Sequence, residues 1–324
     1  MVGALLPDLP TDDATLAARL ESWGYDSLWT GELWGDDAFV RLATAAAGAE
    51  RAALGTAIVN VFSRTPATLA TGAATLARRA PGRVHLGLGT STEQAVGSLH
   101  GMEFHRPVRR LHETGEAVRR LTGDAEGTVD YEGELVAASG VPPLDADVSV
   151  SLAALGPAAR RATGRVGDGW LPHNVPFPDL GEAFETVART ARESGRDPDD
   201  IAVRPYVPAA VADDPDEARD LVRAHVAYYV GSGEGYRRAV GDRFPDRAER
   251  IAEAWHAGER EAATDAVTDG MVDALGVAGD PERAAERFRE VAARDVIDEP
   301  LVKIPAPADD ATAERTLELL GDAV

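Results

Sequence analysis

The sequence predicts an α/β fold, a (β/α)8 TIM barrel with a helical insertion before its last strand, and three observations lead there. Short apolar runs alternate with amphipathic stretches from one end of the 324 residues to the other, the pattern that implies a parallel sheet. Eight such units follow one another, and eight in one chain favour closure over the competing open, doubly wound sheet. Nothing of disordered composition divides them. Barrels of this kind run to about 250 residues, so the length leaves room for an insertion, and residues 1–324 read as one domain.

The first apolar run covers residues 2–6, followed by a helix over 12–23 in which Leu16, Leu20 and Trp23 recur at helical spacing. Gly24 ends it, and 27–29 is the second strand. The third strand spans 53–61, with Pro66 opening the helix over 67–79, as proline suits a first turn. The fourth is 83–89, then a helix over 107–121, then TVDYEGELV, which reads as a small hairpin. Strand 148–154, helix 157–163, strand 169–172, helix 179–194, strand 201–211 and helix 216–229 continue the alternation. Residues 231–270 are helical and irregular without an obvious strand, and form the insertion. Helix 280–294, strand 301–304 and helix 311–320 close the series.

Composition narrows the function. A hydrophobic fraction of 44% supplies an ordinary core, and no window approaches the roughly 18 apolar residues of a membrane span. The opening MVGALLPDLP lacks the basic flank and apolar length of a signal peptide, so the expected location is cytoplasmic. With no cysteine, disulfides, thiolate catalysis and Cys-ligated zinc are excluded. Asp and Glu number 55 against 33 basic residues, giving −22, and Lys303 is the one lysine. The acidic residues spread over most of the predicted helices rather than massing in a tail, a halophilic pattern in which salt screens self-repulsion. An overall field of that sign repels nucleic acid.

In a barrel the site is built from the loops after the strands. After strand two these are Glu32 and Trp34; after strand three, Asn60 to Pro66; after strand four, Gly89, Thr90, Ser91, Thr92 and Glu93; after strand five, Leu155, Gly156 and Pro157; after strand six, His173. Glu32 lies beside Trp29 and Trp34, which suits an acid/base group next to an aromatic ligand, and equally suits the acid of a helix N-terminus. Gly156-Pro157, and more weakly Gly89-Thr90-Ser91, have the layout of an anion cradle or of a tight turn. Neither completes a G-x-G-x-x-G or Walker pattern. His105 and His112 stand seven apart, as on one helical face, and read as surface residues. His173 is either a site residue or a loop histidine facing solvent. No histidine spacing points to a metal, and no Gly-x-Ser-x-Gly elbow points to a hydrolase.

These residues resemble the luciferase-like oxidoreductases, in particular their coenzyme F420-dependent branch. The likeness runs from Gly3 to about Leu320 through GYDSLWTGEL, LGTAIVNVFSRTPATLATGAATL, RVHLGLGTS, ALGPAARRATGRVGDGWLP and ALGVAGDPERAAERFREVAARDV. Within the family, the layout is similar to that of methylenetetrahydromethanopterin reductases. The resemblance implies a deazaflavin that passes hydride from its C5, with Glu32 near the ring and Ala57-Ile58 as a bulged, non-prolyl cis pair behind it. It also implies that Asn60, Gly89 and Thr90 contact the cofactor, that Leu155-Gly156-Pro157 hold its phosphate, and that Trp34, Glu93 and His173 face the substrate. A methylene-tetrahydropterin or tetrahydrofolate is the implied substrate type, and a homodimer or tetramer the implied assembly. This sequence departs from the branch at Leu5, where a strand-one glutamate is usual, at Leu33 and at Thr92. The same fold with FMN as a monooxygenase, and a non-catalytic cofactor-binding barrel, are the competing expectations.

Overall fold

The alternation of apolar runs and amphipathic stretches becomes parallel pairing. In the computed structural model, which describes residues 1–323, β1 (Gly3–Leu5) leads through α1 (Asp13–Ser22) to β2 (Ser27–Thr30) and α2 (Ala38–Ala45). Then come β3 (Ala53–Thr56), β4 (Val59–Asn60), α3 (Pro66–Ala77), β5 (Val84–Gly89), α4 (Glu93–His100) and α5 (Pro107–Thr122). A hairpin of β6 (Val129–Glu132) and β7 (Ala137–Val141) precedes β8 (Ser149–Leu152), α6 (Pro157–Val166), β9 (Gly169–Trp170) and α7 (Leu180–Glu193). β10 (Ala202–Val203) and β11 (Tyr206–Val211) are followed by α8 (Pro215–Ser232), α9 (Glu234–Gly241), α10 (Pro245–His256), α11 (Arg260–Asp265) and α12 (Asp269–Leu275). The chain ends with β12 (Val277–Gly279), α13 (Pro281–Ala292), β13 (Leu301–Lys303) and α14 (Asp310–Gly321).

Outside the hairpin, the strands form one parallel sheet in the order β10-β9-β8-β5-β3-β2-β1-β13-β11-β12, with β4 beside β5. β10 and β11 are one stretch of chain interrupted at Arg204-Pro205, its first half paired with β9 and its second with β13. Tyr206 N donates to Pro172 O (3.0 Å) and Leu301 N to Pro205 O (2.8 Å) across the interruption. Pairing therefore passes from β9 through this stretch to β13 and on to β1, so the sheet curves round as in the barrel-type α/β folds. Proline, which lacks an N–H, is tolerated where a ladder changes partner. Among the described residues no helix is long and apolar enough to cross a membrane.

Helix starts follow from the sequence. Asp12, Thr65, Asp280 and Asp309 each cap a helix by accepting from the next turn's N–H groups, with proline at the first turn of α3 and α13. Some of the net negative charge is thus spent on helix dipoles. Five features differ from the sequence reading. The third strand breaks into β3 and β4 at Ala57-Ile58, and the run 201–211 breaks at Pro205. α2, α4 and the three-residue β12 are additional elements, too short or too polar for a clear period. The hairpin's second strand lies further on, at β7. α6 runs past Gly164, because a Cβ there would come within 2.5 Å of Val187 O on α7; glycine lets the two helices touch.

The inner face carries a buried polar group at the seam of the sheet. Arg204 Nε donates to Glu299 Oε2 (2.7 Å), Ser27 Oγ donates to Glu299 Oε1 (2.5 Å), and Trp29 Nε1 donates to Ser27 Oγ (2.5 Å). Arg204 and Glu299 are 8% and 3% exposed. His85 stacks on Trp29 with centroids 5.3 Å apart. Above them Leu5, Trp29, Ala57, Leu171, Tyr206 and Leu301 form an apolar layer.

Removing one member of such a pair strands the other charge in the interior. Glu299→Ala is expected to lower the free energy of unfolding by about 3–5 kcal/mol, measured by denaturant titration at high salt. A loss below about 1 kcal/mol, the scale of an exposed pair, would show that the seam does not depend on it.

Candidate active site

Because the strands are parallel, the segments after β2, β4, β5, β8 and β9 open at one end of the sheet. Glu32 follows β2. Its carboxylate is held by Arg64, Nε to Oε1 at 3.2 Å and Nη2 to Oε2 at 2.8 Å, and it also accepts from Ala38 N at the start of α2 (3.3 Å). Arg64 pairs with Asp37 as well, and these two carboxylates raise the affinity of its guanidinium for its proton. The forked pair fixes both the rotamer of Glu32 and the entry of α2. Trp34 and Leu33 are exposed on the loop beyond, at 60% and 42%.

The Ala57–Ile58 peptide is cis. The backbone of the β2 end holds it from both sides: Ala57 N donates to Thr30 O (2.7 Å) and Glu32 N donates to Ile58 O (3.1 Å). Asn60, next along, is buried and paired in register with Gly89. Its Oδ1 accepts from Phe62 N (2.9 Å) and Ser63 N (2.8 Å), closing a local turn. Its Nδ2 lies 3.0 Å from His100 Nε2, at the end of α4.

After Gly89, Thr90 Oγ1 donates to Ser91 O (3.2 Å), and Thr92 caps α4 by accepting from Ala95 N (3.2 Å). Glu93 is the first residue of α4 and is exposed. Thr92, standing where the branch has an acid, thus has a structural task, and the acid beside it suits the helix dipole. After β8, Gly156 is the N-cap residue of α6 and Pro157 its first residue; no side chain caps this helix. A Cβ at Gly156 would meet nothing within 4 Å. Open space and free first-turn N–H groups make an anion-accepting end. Leu155 is part-buried beside it.

His173, after β9, does not face solvent: it is 7% exposed. Its ring stacks on Tyr206 (4.6 Å), meets the edge of Tyr229 (4.3 Å) and lies 5.4 Å from Tyr236. Its Nε2 is 3.1 Å from His225 Nε2 on α8. Burial, with the neighbouring charges of His225 and Lys303, holds the His173 pKa well below its usual range, and burial with Lys303 brings His225 to about 3. Next in the chain, Asn174 is buried with a positive φ of 54°, and neither end of its amide is bonded. His105 precedes α5 and does not share its helical face with His112, which is part-buried. Arg64 lies in the segment after strand three that the sequence places at the mouth, whereas Tyr206, His225, Tyr229, Tyr236, Lys303 and His100 are not marked as site residues by the sequence; the paired Tyr228-Tyr229 and the solitary lysine were the available signals.

A family model described as luciferase-like monooxygenase matches residues 9–299. The chain belongs to this family. This luciferase-like chain is 28% identical to the 5,10-methylenetetrahydromethanopterin reductase of Methanopyrus kandleri, over 99% of its own length and 96% of that protein. It is 26% identical to the enzyme of the same name from Archaeoglobus fulgidus, over 88% of each. The solved structure of coenzyme F420 dependent tetrahydromethanopterin reductase from Methanopyrus kandleri matches with a TM-score of 0.81 and 26% identity, across 100% of this chain and 97% of that one.

Two buried histidines and the part-buried His85 give the fold a pH signature. Burial and the charge of Arg204 lower His85 to about 3, and His173 and His225 are lowered as described. In the unfolded chain histidine titrates near 6.5, so each binds a proton on unfolding below that pH. The stability they contribute is present above pH 6.5 and is lost as pH falls towards 3. Between pH 6.5 and 5, before most carboxylates titrate, unfolding free energy is expected to drop by more than 1 kcal/mol per pH unit for each neutral histidine. His85→Gln should flatten that slope; an unchanged slope would show that His85 is protonated in the folded state.

Proposed function

We propose that this luciferase-like protein is a coenzyme F420-dependent oxidoreductase, moving a hydride between the deazaflavin C5 and an organic substrate. One observation carries the reading: the whole-chain likeness to a reductase described as F420 dependent, at a TM-score of 0.81. The residues present fit such a cofactor. The cis Ala57–Ile58 segment, Gly89 and part-buried Ala153 offer a small, mostly apolar wall, and the uncapped start of α6 at Gly156-Pro157 suits a phosphate. When bound, the deazaflavin supplies two-electron hydride chemistry.

In this reading Ala57, Ile58, Asn60, Gly89, Thr90, Leu155, Gly156 and Pro157 hold the cofactor. Asn60 does so by fixing its turn, since its amide is already engaged at both ends. Glu32, oriented by Arg64, is the catalytic candidate, and Trp34, Glu93 and His173 face the substrate. The curved sheet is then a closed (β/α)8 barrel in a single domain, with the helices over 231–270 as its insertion before the last strand. A methylene-tetrahydropterin or tetrahydrofolate, one-carbon metabolism, a salty cytoplasm and a homo-oligomer complete the proposal.

The test is an absorbance and fluorescence titration of the purified chain in high salt, with coenzyme F420 and with FMN. Saturable F420 binding and weak or absent FMN binding are expected. Saturable FMN binding alone would overturn the reading in favour of a flavin monooxygenase. Tight F420 binding with no turnover over a panel of reduced and oxidised pterins, aldehydes and alcohols would favour a non-catalytic binding barrel.

A further inference from the structure

The chain has 55 acidic residues, yet it leaves its one lysine without any of them. Lys303 ends β13, two residues beyond Leu301 of the inner apolar layer. Strand alternation puts both side chains on the same inner face, with Lys303 one layer nearer the carboxyl ends. The register sets it level with Pro208 on β11, and one step past the Ala4–Val302 pair, beside Leu5 of β1. Its ammonium makes no ion pair and no hydrogen bond among the described residues.

Several buried and part-buried basic groups are matched by a carboxylate, and part-buried Arg110 and Arg160, which have none among the described residues, lie over the rings of Phe62 and Trp170. Arg204 has Glu299, Arg64 has Glu32, and Arg41 has Asp13 at 2.8 Å. The charges acting on Lys303 are those of Asp8 and Arg41, which pair with each other at 2.9 Å. On the mouth side lie His173 and His225, which feel its charge but are neutral, and so offer no compensation. Burial weakens its hold on its proton, the mark of a cation kept from water without a counter-ion. It is nevertheless part-exposed, so an anion can reach it. Near the same end, Asn174 keeps a buried amide with no partner.

We propose that Lys303 is the anchoring cation of the substrate subsite, and that the organic substrate presents a carboxylate to it. The assignment of this anion to a substrate rests on the oxidoreductase reading above. His173, Tyr206 and Tyr229 form the aromatic side of the same subsite. An anion placed there completes the pairing that the protein withholds, and a charge-assisted contact to a desolvated ammonium is the strong kind.

The solitary lysine makes the test direct. Protein carrying 13C,15N-lysine has one side-chain Cε–Nζ signal, that of Lys303. Sodium benzoate, titrated at constant ionic strength without cofactor, is expected to move it saturably, and benzamide is expected to leave it in place. Lys303→Met should weaken benzoate binding, read by calorimetry, roughly tenfold or more. A signal unmoved by benzoate, or moved equally by benzamide, overturns the proposal, and the wild-type measurement decides even where the variant fails to fold. Coenzyme F420 and a tail-less 5-deazaflavin distinguish the source of the anion. If F420 moves the signal, the tail-less ring does not, and benzoate displaces F420, then Lys303 holds the cofactor's anionic tail and the substrate assignment falls. Because the benzoate experiment needs no cofactor, its failure is separate from a failure to bind F420.

Discussion

The ion pair between Arg204 and Glu299 sits where the sheet has its weakest continuity. Arg204 occupies the interruption between β10 and β11, and Glu299 stands just before β13. Their contact, extended to Ser27 and Trp29, joins the strands that must meet for the sheet to curve round. Buried pairs of this sort are weak sources of stability but severe about geometry, because a misplaced partner leaves a charge without solvent or counter-ion. One guanidinium nitrogen, Arg204 Nη1, is already unbonded. The apolar layer above, and the mouth above that, inherit their alignment from this seam.

On that base the mouth divides into two chemically distinct halves. From β2 to β8 its wall is small, with a cis peptide, Gly89 and an uncapped helix start. Its polar side chains, Glu32 and Asn60, are engaged by Arg64, backbone N–H groups and His100. From β9 to β13 the wall is aromatic and basic, with His173, Tyr206 and Lys303 approached by His225 and Tyr229 of α8. In the proposed reading the flat cofactor ring lies against the first half and the substrate against the second. The helices after β11 contribute to this second half, since α8 supplies two of its rings.

Much of the scaffold was legible because it depends on local periods: strand alternation, helical spacing, and Pro and Asp at helix starts. What escaped depends on approach in space. Gly164 reads as a helix breaker, and only the closeness of α7 explains why the helix continues through it. α4 is short and polar, with no clear stripe, so its sequence carries no helical signal. The mouth was legible where it coincides with a strand end, as at Glu32, Asn60, Gly156 and His173. It was illegible where distant helices fold over the mouth, because nothing near His225 or Tyr236 in sequence points to β9. The burial of His173 was hidden for the same reason: besides Tyr206, its cover comes from His225, Tyr229 and Tyr236, all more than fifty positions away.

The helical excursion between β11 and β12 leaves and re-enters the sheet at neighbouring points, since Ala209 pairs with Val277 and Val211 with Gly279. Its two ends are therefore stitched together, whatever lies between them. A segment with such tied ends behaves as a cassette: its length and sequence can drift, at a loop-closure cost that grows only slowly, without disturbing the seam at Arg204. Because α8 within it lines the mouth, exchange of this one stretch re-shapes the aromatic wall while the opposite half stays constant. Diversification of such a fold need not touch the strands at all.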